Sequence, residues 1–178
     1  MPLARVDFFD LRYDHRHRSP VLFLKDADQD KYLPVWIGEL EASSIELAVI
    51  RKSAPRPLTH DLFINVLRDL GVRLVKVIID RLESRTYYAT MYLEWDGRTI
   101  TVDSRPSDAI ALALRENVMI YVDDELMYNI KFVEMSEADA EEAAQSGESI
   151  ESSLGVEAED EGFKDFLKRI SPADFKEN

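Results

Sequence analysis

Two short segments of the chain bring a cation, a hydroxyl and a carboxylate together within a few residues. The first, from Arg56 to Asp61, reads Arg-Pro-Leu-Thr-His-Asp, and the second, from Arg105 to Asp108, reads Arg-Pro-Ser-Asp. An apolar helical pattern follows each segment, so the polar side chains are expected to meet the unpaired backbone N–H groups of a helix start. Groups of this kind either act on a phosphate ester or cap the helices.

Hydrolysis of a phosphodiester needs a positioned water, neutralisation of charge on the phosphoryl oxygens and help for the leaving group. A divalent metal such as Mg²⁺ or Mn²⁺, held by carboxylates, can supply all of these. Asp61, Asp103 and Asp108 are the best oxygen ligands for such a metal, with Glu41 next. No metal-binding motif of fixed spacing accompanies them.

The other side chains of the two segments suggest the remaining roles of a hydrolytic site. Arg56 and Arg105 could bind the substrate, because a guanidinium grips a phosphate with two parallel hydrogen bonds. His60 could transfer protons near neutral pH. The catalytic residues under this hypothesis are His60, Asp61 and Asp108.

A structural alternative explains the same residues. Thr59 and Ser107 are natural N-caps, each with an aspartate in the first turn of the helix that follows. Arg56 and Arg105 could then pair with those aspartates as structural salt bridges. Similarly, Trp36 is expected to pack in the core or an interface rather than to stack on a nucleic-acid base.

The surrounding pattern of apolar residues predicts the elements that position these groups. Strands are expected where β-branched and aromatic residues alternate with polar ones, and helices where apolar residues recur at spacings of three and four. The predicted strands cover 4–13, 20–25, 31–37, 72–82, 86–95, 98–103 and 119–122, and the predicted helices 39–51, 59–70 and 106–116, with a turn or short helix from 123.

This order contains a repeat, since three strands and a helix occur twice, over about 4–51 and about 72–116. A shift of 67 positions places Glu41 opposite Asp108, each in the first turn of its helix. The sequence therefore predicts an α+β fold built from two duplicated units, with a mixed or antiparallel sheet packed against helices.

Composition narrows the function classes. The 178 residues include no cysteine, which excludes a disulfide scaffold, a thiolate metal site and a cysteine nucleophile. The net charge of −13 removes any bulk electrostatic case for nucleic-acid binding. Contact with nucleic acid would need a local arginine cluster or a divalent metal. With neither a signal peptide nor an apolar run long enough for a membrane span, we expect a cytoplasmic protein.

The composition changes near Ser136, where large apolar residues almost disappear. We therefore expect a globular domain over 1–130, an acidic linker over 131–161 and an amphipathic tail helix over 162–178. The apolar face of that tail helix would dock on the domain itself or on a partner.

Four separated segments carry a resemblance to a known family. They are Leu33 to Ala42, Pro55 to Asp61, Tyr88 to Met91 and Asp103 to Ala113, and in this order they resemble the bifunctional nuclease domain family over roughly 3–130. The tail resembles the short helix that follows this domain in many bacterial members.

The resemblance implies a duplicated α+β fold, assembly into a homo-oligomer, and nuclease activity on RNA and DNA. It supplies no catalytic residues, so the roles given above rest on residue chemistry. The alternative function is a non-catalytic regulatory module that binds an anion or a protein through the same helix starts.

Overall fold

The chain contains two successive groups of three strands, each followed by a helix, as the repeat predicts. The computed structural model describes residues 2–14, 17–52, 54–84 and 86–128, so the expected linker and tail helix lie outside the described residues. The elements are β1 (Leu3–Asp14), β2 (Ser19–Asp26), β3 (Tyr32–Trp36), α1 (Glu39–Val49), α2 (Thr59–Asp69), β4 (Arg73–Glu83), β5 (Thr86–Trp95), β6 (Arg98–Ser104), α3 (Pro106–Glu116), β7 (Met119–Asp123) and α4 (Asp124–Tyr128).

One seven-stranded sheet holds all the described strands, in the order β3-β2-β1-β7-β4-β5-β6. Each repeat unit forms an antiparallel meander, β1-β2-β3 and β4-β5-β6. Strand β7 lies between the two meanders and pairs antiparallel with β1 and parallel with β4. The α+β fold with two three-strand units and a mixed sheet is therefore confirmed.

Local sequence explains the hairpin that closes the second meander. Asp96 and Gly97 both adopt positive φ, 49° and 70°, as a two-residue turn between β5 and β6 requires. An Asp-Gly pair tolerates these angles at low cost. The turn sets the register in which Trp95 faces Arg98.

The core lies between the sheet and the helices, and α3 is its most buried helix. The run from Ala109 to Ala113 is fully or almost fully buried, and α3 packs on α1. By contrast, α2 buries only Ile64 among its described residues and leaves Leu62 and Val66 exposed. None of the described helices has both the length and the apolar character needed to cross a membrane.

The two Arg-Pro segments do start helices, although the capping differs from the expectation. Leu58, not Thr59, is the N-cap of α2, and Asp61 accepts a hydrogen bond of 3.0 Å from the Leu58 backbone N–H. Arg105 is the N-cap of α3. In neither helix does the N-cap side chain bond to the backbone. The acidic groups at these two helix starts are the first-turn carboxylates of Asp61 and Asp108.

Candidate functional site

A continuous chain of hydrogen bonds connects helices α1, α2 and α3. Each member contacts the next through side-chain atoms, so the three helices share one polar network. We call it the polar relay, and its members in order are Glu41, Arg105, Asp108, His60, Ser44, Arg115 and Asp61.

Arg105 gathers two carboxylates at one end of the relay. Its Nε donates to Asp108 Oδ2 at 2.7 Å and its Nη2 to Asp108 Oδ1 at 3.1 Å. Its Nη1 donates to Glu41 Oε1 at 2.8 Å. Glu41 and Asp108 are the third residues of α1 and α3, so the positions that the repeat makes equivalent meet on one guanidinium.

Gly38 leaves room for this arrangement at the start of α1. A Cβ atom at this position would collide with Oε2 of Glu41. The φ and ψ of Gly38, −79° and 163°, suit any residue, so the glycine is needed here for space rather than for backbone freedom.

Arg105 and Asp108 are both charged at neutral pH. Burial alone would raise the pKa of Asp108, but the hydrogen bonds and charge of Arg105, with a contribution from His60, hold it below its usual range. Asp108 and then Glu41 raise the pKa of Arg105 further above its usual value. The Arg105 side chain is nevertheless 65% exposed, so it presents a permanent cation to solvent.

His60 occupies the middle of the relay with both ring nitrogens engaged. Its Nε2 lies 3.3 Å from Asp108 Oδ1 and its Nδ1 lies 2.7 Å from Ser44 Oγ. Arg115 Nη2 donates to the same Ser44 oxygen at 3.2 Å. A neutral imidazole satisfies the whole network if Ser44 donates to Nδ1 and Nε2–H donates to Asp108.

Asp61 ends the relay, and its partner differs from the sequence-based expectation. Arg115 Nε donates to Asp61 Oδ1 at 2.7 Å, whereas Arg56 is exposed and forms no ion pair with Asp61 among the described residues. Burial would raise the pKa of Asp61, but Arg115 and the Leu58 N–H lower it below its usual range. The expected Arg56–Asp61 pairing is therefore wrong, while the Arg105–Asp108 pairing is confirmed.

Asp103 lies in a separate cluster on the sheet. Arg81 Nη2 contacts Asp103 Oδ1 at 3.2 Å, and the same guanidinium contacts Asp80 at 3.0 Å. Each expected metal ligand thus has its own arginine: Arg115 for Asp61, Arg81 for Asp103 and Arg105 for Asp108.

These pairings do not make a metal site. Within residues 2–14, 17–52, 54–84 and 86–128, no three His, Asp or Glu side chains are grouped as a metal would require. Carboxylates whose charge an arginine already neutralises are poor ligands for Mg²⁺ or Mn²⁺. The donor set does not fit the expected metal, whose involvement stays a prediction.

The Arg105 end of the relay opens into a cleft of about 560 Å³, which we call the Arg105 cleft. The end of β3 and the starts of β2, α1, β5 and α3 form its walls. Its lining residues include Trp36, Gly38, Glu41, Tyr87 and Arg105.

A second cleft, of about 440 Å³, lies at the other end of the relay. Asp61 and Arg115 line it together with Arg51 and Lys52. Of the relay residues, Glu41 and Arg105 line the Arg105 cleft, and Asp61 and Arg115 line the second cleft. His60 and Asp108 line neither of these two clefts.

Sequence reasoning missed or ranked low several members of this arrangement. Glu41 ranks below the aspartates as an oxygen ligand, and neither Arg115 nor Ser44 is identified by the sequence. The Arg-Pro segments pointed to Arg105, Asp108, His60 and Asp61, and the duplication, which pairs Glu41 with Asp108, pointed to Glu41.

Comparison with known proteins identifies the family of this chain. The family model of the bifunctional nuclease domain matches residues 22–135. An uncharacterized protein of Mycobacterium tuberculosis is 37% identical over 174 residues, which is 98% of this chain and 99% of that protein. Bifunctional nuclease 1 of Oryza sativa subsp. japonica is 30% identical over 122 residues, 67% of this chain and 37% of the rice protein. The chain belongs to the bifunctional nuclease domain family.

Proposed function

We propose that this member of the bifunctional nuclease domain family hydrolyses phosphodiester bonds of RNA or DNA in the Arg105 cleft. The observation that carries the proposal is the contact between Arg105 and Glu41 in that open cleft, where a cation and a carboxylate lie side by side. A phosphodiester needs both, one for the phosphoryl oxygens and one for the attacking water.

Arg105 receives the phosphate. A guanidinium has five N–H donors, and three of those of Arg105 bond to Asp108 and Glu41, which leaves two for a ligand. Asp108 holds the guanidinium through two bonds, and His60 in turn supports Asp108. Asp108 and His60 are therefore positioning residues in this proposal, and the cation is preorganised where charge develops in the transition state.

Glu41 acts as the general base. It accepts a proton from a water molecule whose oxygen attacks the phosphorus, and the P–O ester bond on the opposite side breaks. The leaving oxygen takes a proton from solvent in the cleft. The Glu41 side chain is 21% exposed, so one side of its carboxylate is within reach of such a water.

The test compares Glu41→Gln with Glu39→Gln. Both glutamates lie in the first turn of α1, but Glu39 is exposed and lines neither cleft. On fluorescently labelled single-stranded RNA and DNA, loss of the base should slow cleavage by about 100-fold or more, while Glu39→Gln stays near the wild-type rate.

Two other results would argue against the proposal. Equal cleavage by wild type and Glu41→Gln would mean that a contaminating nuclease produces the signal. A melting temperature that falls in step with activity would favour a purely structural role for the Glu41–Arg105 pair.

A second candidate function is a non-catalytic module that binds a protein, and the surface of α2 favours it. Apolar side chains form a stripe along this helix and are between 41% and 64% exposed: Leu58, Leu62, Phe63, Val66 and Leu70. A second copy of the chain is the partner we propose, in line with the expected homo-oligomer.

Sedimentation velocity tests this surface. A Leu62→Ser/Val66→Ser variant should sediment as a smaller species than wild type, and Leu40→Ser, which changes an exposed leucine of α1, should not. A wild-type chain that is monomeric at about 100 μM would contradict the homo-oligomer, since stable assemblies bind well below that concentration.

A further inference from the structure

The Arg105 cleft contains an aromatic ring that the hydrolytic roles leave unused. Trp36 lines the cleft and is 37% exposed, so it is not a core residue. Its Nε1 donates to Asp14 Oδ2 at 3.1 Å, and its ring makes an edge contact with His17 at 6.0 Å between centroids. The indole N–H is thus occupied and the ring is held in one orientation, which leaves its face as the surface available to a ligand.

The same cleft contains a second aromatic ring. Tyr87 lines the cleft, and its hydroxyl is buried without a hydrogen-bond partner among the described residues. Burial raises the pKa of Tyr87, so at neutral pH the hydroxyl keeps its proton and remains a donor. Buried hydroxyls almost always have partners. Because this oxygen is closed to solvent, a ligand in the cleft meets the ring of Tyr87 and not its hydroxyl.

The size and charge of the cleft limit what that ligand can be. A volume of about 560 Å³ lies in the range of small-molecule sites. Glu41 partly balances the charge of Arg105, and among the described residues that line the cleft Arg105 is the only Lys or Arg. The cleft therefore suits one nucleotide rather than a long stretch of nucleic acid.

We infer that the Arg105 cleft binds one unpaired nucleotide of single-stranded RNA or DNA, with its base against the face of Trp36 and its phosphate at Arg105. The inference rests on the proposed hydrolysis, because the phosphate at Arg105 is the one that would be cleaved. A base in a duplex is stacked on its neighbours and cannot reach Trp36. Since every base has a flat aromatic face, little sequence preference is expected.

Fluorescence offers a direct test, because the chain has two tryptophans, Trp36 and Trp95. In Trp95→Phe the remaining indole is Trp36, and a phosphorothioate-linked single-stranded tetradeoxyadenylate, which resists hydrolysis, should quench it. In Trp36→Phe the remaining indole is Trp95, which lies in the β5–β6 hairpin and lines none of the clefts described above, so no quenching is expected. A blunt duplex of the same chemistry should not quench Trp36.

Affinity supplies a second, independent readout. Trp36→Ala should weaken tetradeoxyadenylate binding by roughly 5- to 150-fold, the range for loss of one base–aromatic stack. Trp95→Ala, at an exposed position, should leave it unchanged. One phosphate contact predicts a slope of about −0.7 in log affinity against log salt, and Arg105→Gln should remove most of that slope.

The outcomes separate this inference from the proposed hydrolysis. Quenching of Trp36 without any cleavage of RNA or DNA would support the nucleotide site and count against hydrolysis. Cleavage that persists with unchanged affinity in Trp36→Ala, or equal quenching by duplex and single strand, would overturn the inference and leave hydrolysis standing. If Trp36→Ala does not fold, the Trp95→Phe quenching experiment still decides, because it leaves Trp36 in place.

Discussion

The two Arg-Pro segments share residue types and a position before a helix, yet their arginines behave differently. Arg105 bonds to Asp108 and Glu41 in the wall of a cleft. Arg56 is exposed, and the aspartate of its own segment, Asp61, is held by Arg115 from the far end of α3.

The difference follows from what packs against each helix. Helix α3 is buried from Ala109 to Ala113 and lies against α1, so its N-terminus faces the first turn of that helix. Helix α2 buries only Ile64 among its described residues, and no described carboxylate forms an ion pair with Arg56. Similar local sequences thus start similar helices, while the neighbouring elements decide which arginine joins a site.

The largest difference in stability is expected between a variant of Arg115, which contacts Asp61, and a variant of Arg56, which does not. Arg115 is 10% exposed and bonds to Asp61, Ser44 and the Ala111 carbonyl, so Arg115→Met removes one hydrogen-bond partner from each of these groups. Because the Asp61 side chain is 35% exposed, we expect a loss of about 2 kcal/mol, less than for a fully buried pair. Arg56→Met should change the free energy of unfolding by less than about 0.5 kcal/mol. Urea unfolding measures both, and equal losses would contradict the comparison.

A substitution at Gly38 should affect the Arg105 cleft through Glu41. The added methyl of Gly38→Ala collides with the end of a flexible side chain, so the free energy of unfolding should change by less than about 0.5 kcal/mol. Displacement of Glu41 from Arg105 should nevertheless slow cleavage by about tenfold, or about 1.4 kcal/mol. In a Glu41→Gln background the same substitution should have almost no further effect on the rate. An additive effect would mean that Gly38 acts by another route.

The pH dependence of stability should reveal the lowered pKa of Asp108. A carboxyl with a folded-state pKa below its unfolded value of about 3.9 stabilises the protein at higher pH and loses that contribution as pH falls through the folded pKa. The deficit of Asp108→Asn relative to wild type should therefore be about 1 kcal/mol at pH 7 and shrink below about pH 4. Asp69→Asn, an exposed change in α2, is the control. If Asp108→Asn is still less stable than wild type at pH 2.5, the substitution acts through altered packing or hydrogen bonding rather than through the lost charge.

The smallest expected effect is that of Tyr87→Phe. Removal of a buried hydroxyl that has no described partner should leave the free protein as stable as wild type, or more stable by up to about 1 kcal/mol. Because the hydroxyl is closed to solvent, the same change should leave tetradeoxyadenylate binding unchanged. Calorimetric unfolding checks the first statement, and a clear loss of stability would show that the hydroxyl has a partner within the protein.

Local pattern was enough to predict much of the fold. The boundaries predicted for β5 and α3 match Thr86–Trp95 and Pro106–Glu116, because apolar periodicity, the Asp-Gly turn and the helix-starting proline act over a few residues. The predicted first helix extended past Val49, where α1 ends. Helix ends are set by weak local preferences, so an error of two residues is expected there.

The site was less predictable because its contacts join residues far apart in sequence. The repeat correctly placed Glu41 and Asp108 in comparable surroundings, although nothing local shows that both bond to Arg105. The Arg115–Asp61 pair needs the end of α3 to lie near the start of α2, and the Arg105 cleft needs five elements to converge. Such proximities come from packing of the whole sheet and its helices.

The most direct test of the account is the cleavage rate of Arg105→Gln compared with that of Arg56→Gln, on single-stranded RNA and DNA, with melting temperatures measured in parallel. The account predicts that Arg105→Gln slows cleavage by about 100-fold or more, as expected when a preorganised cation is removed. Arg56→Gln should stay within about twofold of wild type, as befits an exposed residue outside the cleft. Equal loss in the two folded variants, or a greater loss in Arg56→Gln, would contradict it.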